Sequence, residues 1–234
     1  MIFEQMFEME SSTYSYLLGC ENTNQAVLID PVESELDKYI KVLENYGLDL
    51  IYTFETHVHA DHITGADLLR KKFGSKSVVH RDAGAMCADL LVTNGIHLTI
   101  GSIDIEVRYT PGHTSGCVSY LNNDRIFTGD TILIDGCGRT DFQNGDAGQL
   151  YDSIHKQIFQ LPDETLIYPG HDYKGETVTT VGEEKKQNSR VGNNKTREEF
   201  ITLMSKLKLA YPKRIDKALP ANQACGRVDS KQAS

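Results

Sequence analysis

Ile51-Tyr52-Thr53-Phe54-Glu55-Thr56-His57-Val58-His59-Ala60-Asp61-His62 is the stretch whose reading decides the fold. Its first four residues are apolar or β-prone and read as a strand. The segment from His57 to His62 gathers three imidazoles and a carboxylate in a loop. Histidine and aspartate are the usual nitrogen and oxygen ligands of divalent zinc, iron and manganese. A loop leaving a strand can aim several side chains at one centre, which a regular element cannot. One histidine there is more often a core or surface residue. The unit H-x-H-x-D-H is the clustering a metal site requires.

Composition bounds the rest. A chain of 234 residues suits one large domain, with a short helical segment from about residue 196 packed on it. Hydrophobic residues make up 39%, enough for a sizeable core. A formal net charge of −9 argues against non-specific binding to nucleic acid or anionic membrane. No stretch approaches the ~20 apolar residues of a membrane span. Met1-Ile2-Phe3-Glu4-Gln5 lacks the basic and apolar regions of a secretory signal. The five cysteines, Cys20, Cys87, Cys117, Cys137 and Cys225, are odd in number, scattered and without a C-x-x-C pair. That pattern argues against a disulfide framework and predicts free thiols in a reducing, cytoplasmic setting.

Strand-like and helix-like segments alternate along the chain. Residues 1–30 read as β, with strands at 14–18 and 26–30. Leu36, Ile40 and Leu43 share a helical face over 34–46, closed by Gly47. Strand 50–55, a helix over 64–73 ending at Gly74, strand 77–80 and a helix over 82–91 follow. Gly101-Ser102 and Asn122-Asn123-Asp124 mark two hairpins. A helix over 147–160 and a strand at 165–168 precede a polar, Gly- and Asn-containing stretch over 174–195. Thr196-Arg197-Glu198-Glu199 has capping-box spacing before a helix to about 209. The tail from Asp229 reads as frayed.

Three further strand-ending loops each set one potential ligand beside glycine: Gly112-His113, Gly129-Asp130 and Gly170-His171. Singly each is weak. In this order after H-x-H-x-D-H they resemble the metallo-β-lactamase superfamily. The resemblance implies an α/β fold, a four-layer αβ/βα sandwich with the metal site at one edge. All seven of the family's ligand positions are filled, which leaves room for two metals.

The loop Asp135-Gly136-Cys137-Gly138-Arg139-Thr140-Asp141-Phe142-Gln143 narrows the resemblance to the persulfide dioxygenases, the ethylmalonic-encephalopathy-protein branch. Leu150-Tyr151-x-Ser153-Ile154-His155, Tyr168-Pro169-x-His171-Asp172-Tyr173 and Pro220-Ala221-Asn222-x-x-Cys225-Gly226 agree. Asn188-Ser189-Arg190 departs from that branch's Asn-Pro-Arg. The branch implies one Fe(II) per chain, held by His57, His113 and Asp130, and oxidation of glutathione persulfide with O2 to sulfite and glutathione. It implies no catalytic residue beyond the metal centre, and a homodimer. His59, Asp61, His62 and His171 then either orient ligands and bound water or mark a second metal position. Arg139 and Tyr173 match glutathione contacts, and Cys137 lies near the substrate or packs. Cys20, Cys87, Cys117 and Cys225 read as ordinary small residues.

Two other readings compete. A hydrolase resembling glyoxalase II would use a bridged metal hydroxide on a glutathione thioester. It usually carries a longer helical C-terminal region and a different loop in place of 137–142. A complete ligand set with open positions argues against a non-catalytic sulfur-carrier or metal-binding module.

Overall fold

The structure, a computed structural model, describes residues 1–227, so the expected fraying from Asp229 lies outside the described residues. The chain forms two compact units. The first comprises Met1–Val92, Thr99–Ile103 and 211–227, and the second Thr93–Leu98 and Asp104–Ala210.

The first unit is built on a six-stranded sheet in the order β1-β2-β3-β4-β5-β6. These strands are β1 (Ile2–Glu8), β2 (Thr13–Gly19), β3 (Gln25–Ile29), β4 (Asp49–Phe54), β5 (Lys76–His80) and β6 (Leu90–Val92). The first three run antiparallel, and β3 to β6 run parallel. Parallel neighbours need crossovers. Helices α1 (Leu36–Tyr46) and α2 (Ala66–Phe73) supply them, ended by the left-handed Gly47 and Gly74. Tyr39 and Leu43 of α1 pack with Leu17, Leu28, Leu50 and Leu69 in a buried cluster. The Tyr39 hydroxyl also accepts from the Val32 amide at 3.0 Å and lies 2.8 Å from Ser15 Oγ.

The second sheet has the order β12-β11-β10-β9-β8-β7. Its strands are β7 (His97–Ile100), β8 (Ile103–Tyr109), β9 (Val118–Asn122), β10 (Arg125–Gly129), β11 (Leu166–Pro169) and β12 (Thr179–Thr180). β10 and β11 are parallel, and Gly129 pairs with Pro169. That register sets the loops carrying Asp130 and His171 side by side. Helix α3 (Ala147–Ser153) runs into a π turn, Ile154–Ile158. Helix α4 (Val181–Gln187) and helix α5 (Arg197–Ser205) each start in a complete capping box. Phe200 and Met204 of α5 join Leu150, Ile154 and Ile158 in the buried core of this unit. Helix α6 (Ile215–Gln223) belongs to the first unit.

Two sequence readings are corrected, and one polar stretch given no elements gains two. Residues 82–91 are not a helix but a 3-10 turn, Arg81–Ala83, followed by irregular chain and β6. Gly84 at φ +78° stops the turn, and Asp89 accepts from the Ser77 amide at 2.8 Å instead of helping a helix. The polar stretch 174–195 holds β12 and α4, whose Thr180–Glu183 box was readable. Cys87 and Cys225 are not ordinary thiols: they form a disulfide across 138 residues, while Cys20, Cys117 and Cys137 are buried and outside that bond. No helix among the described residues is long and apolar enough to cross a membrane.

Candidate metal centre

In the first unit the donors stand in the loop between β4 and α2. Asp30, left-handed at φ 49° just past β3, organises them. Its carboxylate accepts from the Thr56 amide at 2.7 Å and the Thr56 hydroxyl at 2.8 Å. That hydroxyl, having given its proton to Asp30, faces His57 Nδ1 at 3.0 Å with a lone pair. His57 Nδ1 therefore carries the ring proton and Nε2 keeps the lone pair a metal needs.

His59 turns Nε2 toward Asp30 at 3.1 Å and Glu55 at 3.4 Å, which leaves Nδ1 as its donor atom. Burial opposes charge on this ring, but the Asp30 and Glu55 carboxylates outweigh it and hold His59 well above the usual imidazole range. His62 Nδ1 lies 2.9 Å from Asp61 Oδ2, which also accepts from Thr13 Oγ1 at 3.0 Å. His59 Nδ1 and His62 Nε2 are buried and have no hydrogen-bond partner among the described residues. Native proteins rarely leave such atoms unmet. One donor atom each from His59, Asp61 and His62 lie within 4.8 Å of one another. The donor set and its orphaned nitrogens fit a metal ion.

The second unit carries His113, Asp130 and His171. His113 Nδ1 faces the Arg139 carbonyl at 2.6 Å and must donate to it, so Nε2 holds the lone pair. Asp130 Oδ2 lies 3.5 Å from His113 Nε2, and Asp130 Oδ1 lies 3.5 Å from His171 Nε2. Two donors at about 2.0–2.2 Å from one ion in a tetrahedral arrangement stand about 3.4 Å apart. Glycines make this geometry possible. A Cβ on Gly138 would lie 2.4 Å from the Asp130 carbonyl and 2.8 Å from His113 Nδ1. A Cβ on Gly170 would lie 2.9 Å from Asp130 Oδ1.

The expected substrate contacts differ in how they stand. Tyr173 is 73% exposed and stacks on His171 at 6.1 Å between centroids. Its loop is shaped by Asp172, which accepts from the amides of Lys174, Gly175 and Glu176. Arg139 already sets Nε and Nη2 on Asp141 and Nη1 on the Ala210 carbonyl at 2.8 Å. Of the two readings of Cys137, substrate contact or packing, the structure describes the packing. It is 2% exposed and its thiol packs 3.9 Å from Met204 Sδ. Burial pushes that thiol up to about 11. His155 stacks on Tyr151, with Nδ1 2.9 Å from the Tyr151 carbonyl.

Asp30, Glu55 and Asn222 were missed by sequence reasoning. Asp30 sat in view at a strand end, but nothing local links it to residue 56. Asn222 reaches the histidine loop across 163 residues, to the His59 carbonyl.

Residues 9–171 match the metallo-beta-lactamase superfamily. The mitochondrial persulfide dioxygenase ETHE1 of Homo sapiens is 48% identical over 229 residues, covering 97% of this chain and 89% of that protein. The crystal structure of ETHE1 from Myxococcus xanthus is 53% identical with a TM-score of 0.95, covering 97% of this chain and 100% of that one. A probable hydroxyacylglutathione hydrolase of Schizosaccharomyces pombe is 35% identical over 171 residues, covering 70% of this chain and 66% of that protein.

Proposed function

The chain belongs to the metallo-β-lactamase superfamily, has its fold and falls with its persulfide dioxygenases; on that premise we propose that it oxidises glutathione persulfide. Persulfide, dioxygen and water give glutathione, sulfite and two protons, so sulfur loses the four electrons that dioxygen gains. The observation that carries the reading is a 48% match running over 97% of the chain, far beyond the metal motif alone.

We assign His57, His113 and Asp130 as the ligands of one Fe(II), on their match to the family's motif. Ferrous iron supplies the redox chemistry toward dioxygen that zinc lacks. The chain's own residues do the rest. Thr56 and the Arg139 carbonyl hold the Nδ1 protons of His57 and His113, which fixes each ring's tautomer. His59, Asp61, His62 and His171 orient the ligands and bound water through their own contacts.

Arg139 and Tyr173 hold glutathione. The Arg139 fork is fixed by Asp141 and by Phe142, whose ring centre lies 4.6 Å from Cζ. The second N–H on each Nη, unused among the described residues, remains for a substrate carboxylate. A homodimer belongs to this reading by family likeness. The cytoplasmic setting expected from free thiols loses that support to the Cys87–Cys225 disulfide, and the ETHE1 relatives are named as mitochondrial.

The triad His59, Asp61 and His62 favours one competing reading, a two-metal hydrolase of glutathione thioesters. Metal analysis of protein purified without added metal separates the two. About one iron per chain, and activity abolished by a chelator, is the result expected. Two zinc ions per chain with thioester hydrolysis would reverse the assignment.

A further inference from the structure

Pro220-Ala221-Asn222-x-x-Cys225-Gly226 takes no part in the proposed ligand set, yet it converges on the histidine loop. Asn222 is buried at the end of α6. Its Nδ2 donates to the carbonyls of His59 and His62, both at 2.8 Å. Its Oδ1 accepts from the Thr64 amide at 2.9 Å. The loop cannot satisfy these inward groups with a strand or helix ladder, so a side chain does it. Gly226, at φ +79°, closes on the same place, where a Cβ would lie 2.5 Å from the Thr64 carbonyl. Cys225 packs in a cluster with Val58 of the loop, Val79 and Ala85, and is bonded to Cys87. Asparagine, cysteine and glycine in this motif thus each have a fixed task at one spot.

We propose that α6 is a clamp on the histidine loop, with Asn222 as the positioning residue and the Cys87–Cys225 disulfide as its redox-sensitive anchor. The inference rests on reading that loop as a metal site. Asn222 fixes the backbone on which His59 and His62 stand, and through it the loop that also carries His57, two residues before His59. The disulfide keeps the end of α6 from lifting. Two glutathione molecules open it by thiol–disulfide exchange, giving two cysteine thiols and glutathione disulfide. Glutathione is also the product of the proposed reaction, so the anchor senses the thiol pool in which the enzyme works.

The test is metal release from the loaded protein into excess chelator, read beside steady-state kinetics. Asn222→Asp keeps the acceptor for the Thr64 amide but sets an oxygen against two carbonyls. It should release metal about 10- to 100-fold faster, the usual effect of losing an outer hydrogen-bond partner. Its kcat should fall while KM stays unchanged. Asn222→Ser, checked for folding by circular dichroism, should behave alike. Wild type reduced with glutathione should release metal at a rate between oxidised wild type and Asn222→Asp, and Cys87→Ser should match it with no further response to reduction.

Folded Asn222 variants that keep the wild-type release rate overturn the positioning role. Equal rates for oxidised and reduced wild type overturn the anchor. Wild type that holds no metal overturns the metal reading and the clamp together, which distinguishes that failure from the others.

Discussion

Arg139 lays Nε and Nη2 on the two carboxylate oxygens of Asp141, at 2.6 and 2.7 Å. The Asp141 side chain is 54% exposed, so the pair is screened by water and adds little to stability. Its effect is orientation. A guanidinium locked in plane loses less freedom when it takes a second carboxylate. Arg139→Ala should raise KM for glutathione persulfide about 10- to 150-fold, from roughly 1.5–3 kcal/mol per charge-assisted hydrogen bond. Metal content should not change. Arg139→Lys should recover only part, since a point charge cannot reproduce the fork. Oxygen uptake against persulfide concentration measures this, and an unchanged KM in Arg139→Ala would leave Arg139 purely structural.

Gly138→Ala should empty or distort the site without touching a donor. The new methyl would meet the His113 ring at 2.8 Å and the Asp130 carbonyl at 2.4 Å, and the carbonyl cannot rotate away as a side chain would. The Gly138 amide also donates to that carbonyl at 2.7 Å. Metal content should drop while the denaturation midpoint falls only modestly. Full metal occupancy in Gly138→Ala would mean that this loop gives way freely.

Ligands and orienting residues should separate by metal content. His113→Ala or Asp130→Ala removes one of the proposed protein ligands and should empty the site. His62→Ala removes a ring held by Asp61 and should keep much of the metal, while activity falls about 10- to 100-fold. Equal metal loss in all three variants would make His62 a direct ligand.

Cys137 should resist alkylation in the native protein at pH 7 to 8. Burial disfavours its thiolate and pushes the thiol up to about 11, so the reactive form is scarce until the pH rises well beyond neutrality. Mass spectrometry after iodoacetamide treatment measures this. Modification of Cys137 at neutral pH in folded protein would contradict its place beside Met204.

Local signals carried most of the fold. Gly47 and Gly74 end α1 and α2 as left-handed caps, and the Thr196–Glu199 box opens α5, because each depends on neighbours a few residues away. The loop donors were legible for the same reason, being clustered at strand ends. What failed depends on distant chain. Residues 82–91 have helix-compatible composition, but β5 recruits Leu90–Val92 as a parallel neighbour. Cys87 finds Cys225 across 138 residues, a pairing no spacing rule supplies. Asp30 is tied to Thr56 only through strand order, since β3 and β4 are parallel neighbours with α1 between them in sequence. The occupation of Arg139 by Asp141 was within reach, as two opposite charges two residues apart, but a loop's curvature decides whether they meet.

Oxygen uptake by the purified, iron-quantified protein, with glutathione persulfide as sole substrate and sulfite measured in the same samples, tests the central claim most directly. One sulfite formed and one dioxygen consumed per persulfide, in proportion to iron content, is the predicted result. Persulfide left intact with no oxygen consumed by fully metal-loaded protein, alongside hydrolysis of a glutathione thioester, would contradict it.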